Sequence, residues 1–214
     1  MILIFPMKMK IVLATHNRDK YSEMTAILED MRIILLPLNE FPDIGEIIED
    51  GQTLKENAFI KAKTVHKVTH LPAMADDTGL EVDALHGQPG IFSARYAGEK
   101  CSYMDNIDKL LQKMENIPIQ KRSALFRTAV AYVDDNMELA TEGIVEGLIT
   151  GVTKGIDGFG YDPVFYVPDM KKTYAEMSMK EKNKISHRGK AVKNMQKLLK
   201  SRLPQIFHQM EDIA

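Results

Sequence analysis

The feature that most constrains this chain is a pair of long strand-like runs, residues 123–133 and 138–150, separated by Asp134-Asp135-Asn136. Apolar residues recur through both runs and the junction carries turn chemistry, so the segment reads as a hairpin of two long strands. Such a hairpin belongs to an extended sheet. Elsewhere short apolar runs alternate with amphipathic stretches, which favours an α/β or α+β domain.

The periodicities predict the other elements. A buried strand covers 10–14, a polar turn 15–19, and a helix follows with Tyr21, Met24, Ile27, Leu28 and Met31 at helical spacing. A strand at 33–36 leads into a loop at 37–51 whose end is acidic, with Glu46, Glu49 and Asp50. In the helix expected over 53–68, Leu54, Ala58, Ala62, Val65 and Val68 share one arc, and Lys61 falls inside it. An ammonium among apolar neighbours needs either a partner anion or a snorkelling route. A short strand at 73–75 ends at Asp76-Asp77, and 78–85 leads into the turn Gly87-Gln88-Pro89-Gly90. A helix covers 102–114 with Ile107, Leu110, Leu111 and Met114 inward. After the hairpin come a loop at 155–160, a strand at 164–167, a short helix at 176–182 and a final helix at 190–202.

The chain has 214 residues, enough for one large domain or two small lobes, and 44% of them are hydrophobic, so a core can form. A formal net charge of −2 argues against a sequence-independent grip on nucleic acid. One cysteine, Cys101, leaves no internal disulfide and no thiolate zinc cluster, which fits a reducing, cytoplasmic setting. The apolar opening lacks a basic region and a cleavage site, and no window is long enough to span a bilayer. Met7 and Met9 are each alternative starts, making residues 1–9 an extension, 10–203 a single two-lobed domain and 204–214 a tail.

Four constellations carry chemistry. The 15–20 segment, Thr15, His16, Asn17, Arg18, Asp19 and Lys20, joins a strand to a helix N-terminus, a place where outward N–H groups bind anions. Asp76-Asp77 offers hard oxygens for a divalent cation; alone, it reads as well as a turn. With Glu49 and Lys61 it has the parts of a metal–triphosphate site. Gly158-Phe159-Gly160-Tyr161-Asp162 sets two aromatic rings among glycines, either a platform for a base or a packed core loop. The run Lys182 to Arg188 supplies donors at a helix approach: either Ser186, His187 and Arg188 read a base edge or the run is a solvated face. His66 and His70 have a zinc spacing without a third ligand and read as surface residues.

Taken together, the blocks Val12-Leu-Ala-Thr-His-Asn17 through Lys20, Glu56-Asn-Ala58 through Lys61, Asp76-Asp-Thr-Gly-Leu-Glu-Val-Asp-Ala-Leu85, Pro89-Gly-Ile-Phe-Ser-Ala-Arg-Tyr96, Gly158 to Pro163 and Ile185-Ser-His-Arg188 resemble the inosine/xanthosine triphosphate pyrophosphatase family. The resemblance spans about residues 10 to 200, in the family's order. It implies an α/β fold with a long twisted mixed sheet flanked by helices, two lobes with a nucleotide cleft between them, and a homodimer. It implies Mg²⁺-dependent hydrolysis of ITP, dITP or XTP to the monophosphate and pyrophosphate. Carried over, Thr15 to Lys20 and Lys61 grip the triphosphate, Glu49 and Asp77 hold the metal, and Asp77 is the proton acceptor with Asp76 in support. Thr78 contacts substrate, Phe159, Gly160, Tyr161 and Asp162 form the base loop, and Lys182, His187 and Arg188 add nucleotide contacts. The chain departs from the family at His16 and Asp19, where glycine is frequent, and at Thr78, where serine is common. Asp77 orients or deprotonates the attacking water, directly or through the metal, and a donor edge at His187-Arg188 favours a 6-oxo purine over adenine. Two other enzyme and binding readings remain at this stage: a pyrophosphatase with loose base choice, and a sensor that binds a purine triphosphate without cleaving it.

Overall fold

In the computed structural model the described residues are 8–29 and 32–204. The first strand, β1 (Met9–Leu13), is an apolar run whose last three residues are buried. Met9 pairs with Ile33 and so belongs to the sheet, which shortens the expected extension; Met31 and residues 205–214 lie outside the described residues. Helix α1 (Arg18–Leu28) starts at an Asn17 N-cap, and β2 (Ile33–Pro37) returns parallel to β1. Helix α2 (Leu54–Thr69) is capped by Thr53, whose side chain accepts from the Glu56 amide, a contact of about 1 kcal/mol.

Strand β3 (Ala73–Val82) departs from expectation. It does not stop at Asp76-Asp77 but runs through them for ten residues, because each carboxylate finds buried partners and the backbone pairs with β5 throughout. Strand β4 (Pro89–Gly90) adds a short edge to β3, and α3 (Tyr103–Met114) begins at a Ser102–Asp105 capping box. The hairpin is present as β5 (Ser123–Val133) and β6 (Glu138–Ile149), and β7 (Phe165–Val167) and β8 (Lys172–Thr173) extend the sheet. Helix α4 (Met179–Ile185) lies three residues later than the pattern predicts, since Ser178 and Glu181 form its capping box. Helix α5 (His187–Arg202) starts three residues earlier, at a Ser186 N-cap, which puts His187 and Arg188 in its first turn.

The sheet order is β2-β1-β3-β5-β6-β7-β8, with β4 beside β3. β2, β1 and β3 are parallel; the remaining pairs are antiparallel, so the sheet is mixed. Three cores share the long strands. Ala73, Ala75, Ala129 and Ala131 pack against α2, and Met74, Val130 and Tyr132 pack against α1 and α5 on the other face. The far ends of the same strands, at Leu80, Phe126 and Val145, enter a third core with α3, β7 and Tyr174. β3, β5 and β6 therefore serve both lobes, and Asp76 to Thr78 sit where one lobe passes into the other. Gly143 lets α5 approach β6: a Cβ there would lie 2.1 Å from the His187 carbonyl oxygen. Among the described residues no helix is long and apolar enough to cross a membrane.

Candidate active site

Neighbouring residues on a strand face opposite sides, so β3 sends Asp76 and Asp77 into different layers. On the α2 side, Asn57 Nδ2 donates to Asp77 Oδ2 at 3.1 Å and the Thr78 amide donates to Asp77 Oδ1 at 3.0 Å. Lys61 Nζ lies 2.8 Å from Glu49 Oε2 and 3.5 Å from Asp77 Oδ1. The ammonium inside the apolar arc thus has partner anions and not a route to solvent; Lys61 is 7% exposed. Asn57 also accepts the Gly51 N–H at 2.9 Å, which ties the loop carrying Glu49 to the helix that faces Asp77.

On the opposite side Asp76 meets Lys20 Nζ at 3.2 Å and Arg188 Nε at 3.1 Å. Arg188 also donates to Glu23, and its third nitrogen reaches Thr78 Oγ1 at 3.2 Å. Lys182 Nζ sits between Glu23 Oε1 at 2.7 Å and Asp162 Oδ2 at 2.5 Å. Asp162 Oδ2 in turn accepts the Phe159 N–H at 2.9 Å, which folds the glycine-rich loop back on itself. This network is buried and carries charges from α1, β3, α4, α5 and the loop. Breaking such a pair from one side strands the other charge at a cost of about 3–5 kcal/mol.

Both sets open on one hollow that is continuous with solvent. Its wall includes Asn17, Lys20, Glu49, Lys61, Asp77 and Thr78, and also Phe159, Gly160, Tyr161, Asp162, Lys182, His187 and Arg188. Asp76 is buried behind that wall. Thr15 accepts the Asn17 N–H and lies beneath the loop, while His16, Arg18 and Asp19 are exposed and do not line the hollow. The helix N-terminus is less open than a strand–helix junction alone predicts, because Asn17 Oδ1 already accepts from the Asp19 and Lys20 amides, at 2.9 and 3.1 Å.

The two aromatic residues of the loop differ. Tyr161 turns into the core and donates its hydroxyl to the Ser93 carbonyl at 2.9 Å, so it is not a free platform. Phe159 remains at the hollow, with Lys182 Nζ 4.8 Å and the Arg188 guanidinium 5.5 Å from its ring centre. Lys182 and Arg188 are likewise not a solvated face: both are buried and their donors are directed to carboxylates. His187, like Asp76 at Oδ1 and Tyr174 at its hydroxyl, is incompletely satisfied. Its ring stacks on Phe126 with centroids 4.4 Å apart, and among the described residues its Nδ1 is buried without a hydrogen-bond partner.

Electrostatics separates the roles. Burial raises the Asp77 carboxyl, and Lys61 and Lys20 only partly offset it, so Asp77 is a stronger base than a solvated carboxylate. Burial acts the same way on Asp76, but Lys20 and Arg188 overcome it and hold that group well below the usual carboxylate range. Burial would lower Lys61, yet Asp77 and Glu49 keep it charged and raise it. Burial, Arg188 and Lys182 push His187 well below its ordinary value, so it is neutral near pH 7.

Sequence reasoning missed three residues. Glu23 joins Lys182 and Arg188, but at about 100° per residue it lies outside the arc of Met24, Ile27 and Leu28, so unlike Lys61 it carries no local signal. Asn57 lies inside a block used for the resemblance, but nothing local marks it as the partner of Asp77. Tyr103, at the start of α3, accepts from Asn17 Nδ2 at 2.9 Å across 86 positions of sequence and carries no local signal at all.

Comparison with known proteins follows this geometry. The Ham1 family model matches residues 11–198. A dITP/XTP pyrophosphatase from Desulforamulus reducens is 46% identical over 192 residues, covering 89% of this chain and 96% of that protein. One from Bacillus licheniformis is 47% identical over 191 residues, covering 89% and 97%. The structure of a HAM1 protein from Coxiella burnetii superimposes with a TM-score of 0.82 at 42% identity, covering 90% of this chain and 99% of that one. The Staphylococcus aureus Ham1 protein gives 0.80 at 39% identity, covering 90% and 99%. With nearly the whole matched length shared in sequence and in fold, this chain belongs to the Ham1 family.

Proposed function

We propose that this protein hydrolyses non-standard purine nucleoside triphosphates, dITP, ITP and XTP, to the monophosphate and pyrophosphate, removing them from the nucleotide pool. The observation that carries the reading is the convergence of Asp77, Glu49, Lys61 and Lys20 on one hollow that Phe159 and His187 also line. The printed names of the relatives, dITP/XTP pyrophosphatase, point the same way.

The donor set fits Mg²⁺. Glu49 and Asp77 converge on a single ammonium, so two carboxylates share one positive charge. Among the described residues no group of three or more His, Cys, Asp and Glu side chains clusters as a metal cage. Two carboxylates with phosphate and water oxygens completing the shell are a usual arrangement for Mg²⁺. When bound there, Mg²⁺ supplies positive charge to the phosphoryl oxygens. The chain's own residues do the rest. Lys20 and Lys61 hold the phosphate tail by charge-assisted hydrogen bonds. Asp77, its Oδ2 fixed by Asn57, receives or orients the proton of the water that attacks the α-phosphorus.

At the purine end, Phe159 stacks and His187 offers Nδ1, in its N–H tautomer a donor matched to a 6-oxo group and mismatched to the 6-amino group of adenine. Arg188 contributes less to that edge than the sequence implies, because three of its nitrogens serve Asp76, Glu23 and Thr78. The family resemblance and the single thiol support a cytoplasmic homodimer.

Pyrophosphate release from dITP, ITP, XTP, GTP and ATP, with and without Mg²⁺, tests the reading. The expected result is turnover of the first three with Mg²⁺, far above ATP, and loss of most turnover in Asp77→Asn with the fold intact. Near-normal kcat in Asp77→Asn, or equal kcat/KM for all five, overturns it.

A further inference from the structure

Tyr103 is the one aromatic side chain at the mouth of the hollow whose presence neither core packing nor the proposed chemistry explains. It is the first residue of α3, in the lobe opposite α1, and 45% of it is exposed. Its hydroxyl accepts from Asn17 Nδ2 at 2.9 Å and reaches Asp19 Oδ2 at 3.5 Å, so it spans the opening between the lobes. Its ring lies 5.9 Å from that of Phe159, tilted by 40°. An exposed tyrosine that buried only its own surface would gain little from being held there. Held by Asn17 at one end, it packs its ring against Phe159 and covers that side of the hollow.

We infer that Tyr103 is the second wall of the purine site, closing on the base opposite Phe159 and specifying a flat, two-ring ligand. A base held between two rings needs two stacking contacts of about 3.5 Å each, or about 7 Å between ring planes. The rings now lie in direct contact, centroids 5.9 Å apart and tilted by 40°, so this side of the hollow is closed on itself without ligand. A base enters when Tyr103 swings away from Phe159 about its side-chain torsions, and the hydroxyl's bond from Asn17 Nδ2, whose side chain is itself fixed by the Asp19 and Lys20 amides, limits how far it goes. A two-ring purine stacks over a larger ring area than a one-ring pyrimidine. Stacking thus adds size selection to the hydrogen-bond selection at His187. This inference rests on the purine reading of the site and names a residue that recognises the base.

Binding measurements separate the base from the phosphate tail. Titrate inosine monophosphate and inorganic tripolyphosphate, by calorimetry, into the wild type, Tyr103→Phe and Tyr103→Leu. Tyr103→Leu keeps apolar bulk and helix propensity but removes the ring. The expected result is about tenfold weaker inosine monophosphate binding in Tyr103→Leu, the loss of one base–aromatic stack, with tripolyphosphate affinity within about twofold of wild type. Tyr103→Phe is expected to bind inosine monophosphate about fivefold or more tightly than Tyr103→Leu does. Unchanged inosine monophosphate affinity in Tyr103→Leu overturns the clamp while leaving the active-site reading intact. An equal loss for both ligands also overturns it, by placing Tyr103 on the phosphate loop. Wild type that binds tripolyphosphate but no purine nucleotide overturns the purine reading and the clamp with it.

Discussion

Replacing His187 with Gln probes the purine end of the hollow through stability instead of turnover. His187 is 2% exposed, stacks on Phe126, and is held neutral by burial and by the nearby Arg188 and Lys182, which outweigh the pull of Asp76. In the unfolded chain the imidazole takes a proton below about pH 6.5; in the folded chain it does so only at much lower pH. The unfolded state therefore binds more protons in that window. The depressed value contributes stability that is fully present above pH 6.5 and is lost as pH falls toward the folded value. While the folded imidazole stays neutral and the unfolded one is protonated, each pH unit of acidification costs up to about 1.4 kcal/mol through this side chain. That is a noticeable share of a typical total of about 5–15 kcal/mol. Urea unfolding of the wild type and His187→Gln at a series of pH values below about 6.5 measures it. The variant starts less stable because it lacks the stacked ring, but its loss on acidification is expected to be shallower, by up to about 1.4 kcal/mol per pH unit. Parallel stability curves would show that the imidazole is not held neutral and would refute the argument.

Other perturbations test other parts of the same arrangement. Glu23→Ala leaves the Lys182 and Arg188 charges buried without their shared partner, and denaturant unfolding is expected to show a loss of about 3–5 kcal/mol, with Glu23→Gln losing less. A loss below about 1 kcal/mol would mean that water or Asp162 already satisfies Lys182. Gly143→Ala places a methyl group against the His187 carbonyl and the Ala191 amide, so it is expected to destabilise by about 1–3 kcal/mol and to shift the first turn of α5. A crystal structure of the variant with α5 unmoved and unfolding unchanged would contradict the close approach. Lys61→Met leaves Glu49 and Asp77 facing each other without their cation; tripolyphosphate affinity is expected to fall by about 10- to 100-fold, the value of one charge-assisted hydrogen bond. Unchanged affinity would remove Lys61 from the phosphate site.

The elements that position the site were legible wherever a local signal was strong. The hairpin of β5 and β6 followed from two long apolar runs about an acidic turn, and α2 followed from an apolar arc behind Thr53. The end of β3 was not legible, because Asp76-Asp77-Thr78-Gly79 has the composition of a turn. Partners as distant in sequence as Arg188 make it a strand interior. The same cause hid the character of residues 182–188. Read locally, two lysines, a histidine and an arginine look like a solvated face, yet Glu23 lies 159 positions from Lys182 and 165 from Arg188 and draws both inward. Lys61 was the exception that shows how the rest is recoverable. A charge inside an apolar arc cannot remain there unpaired, so its presence announces an unseen counter-charge. Applied to α1, the same test marks Lys20, which falls inside the arc of Met24, Ile27 and Leu28, and passes over Glu23, which lies outside it. With Lys61 and Lys20 each requiring an anion, one on either side of β3, the sheet has one place for both, the Asp76-Asp77 pair whose alternation serves the two layers at once.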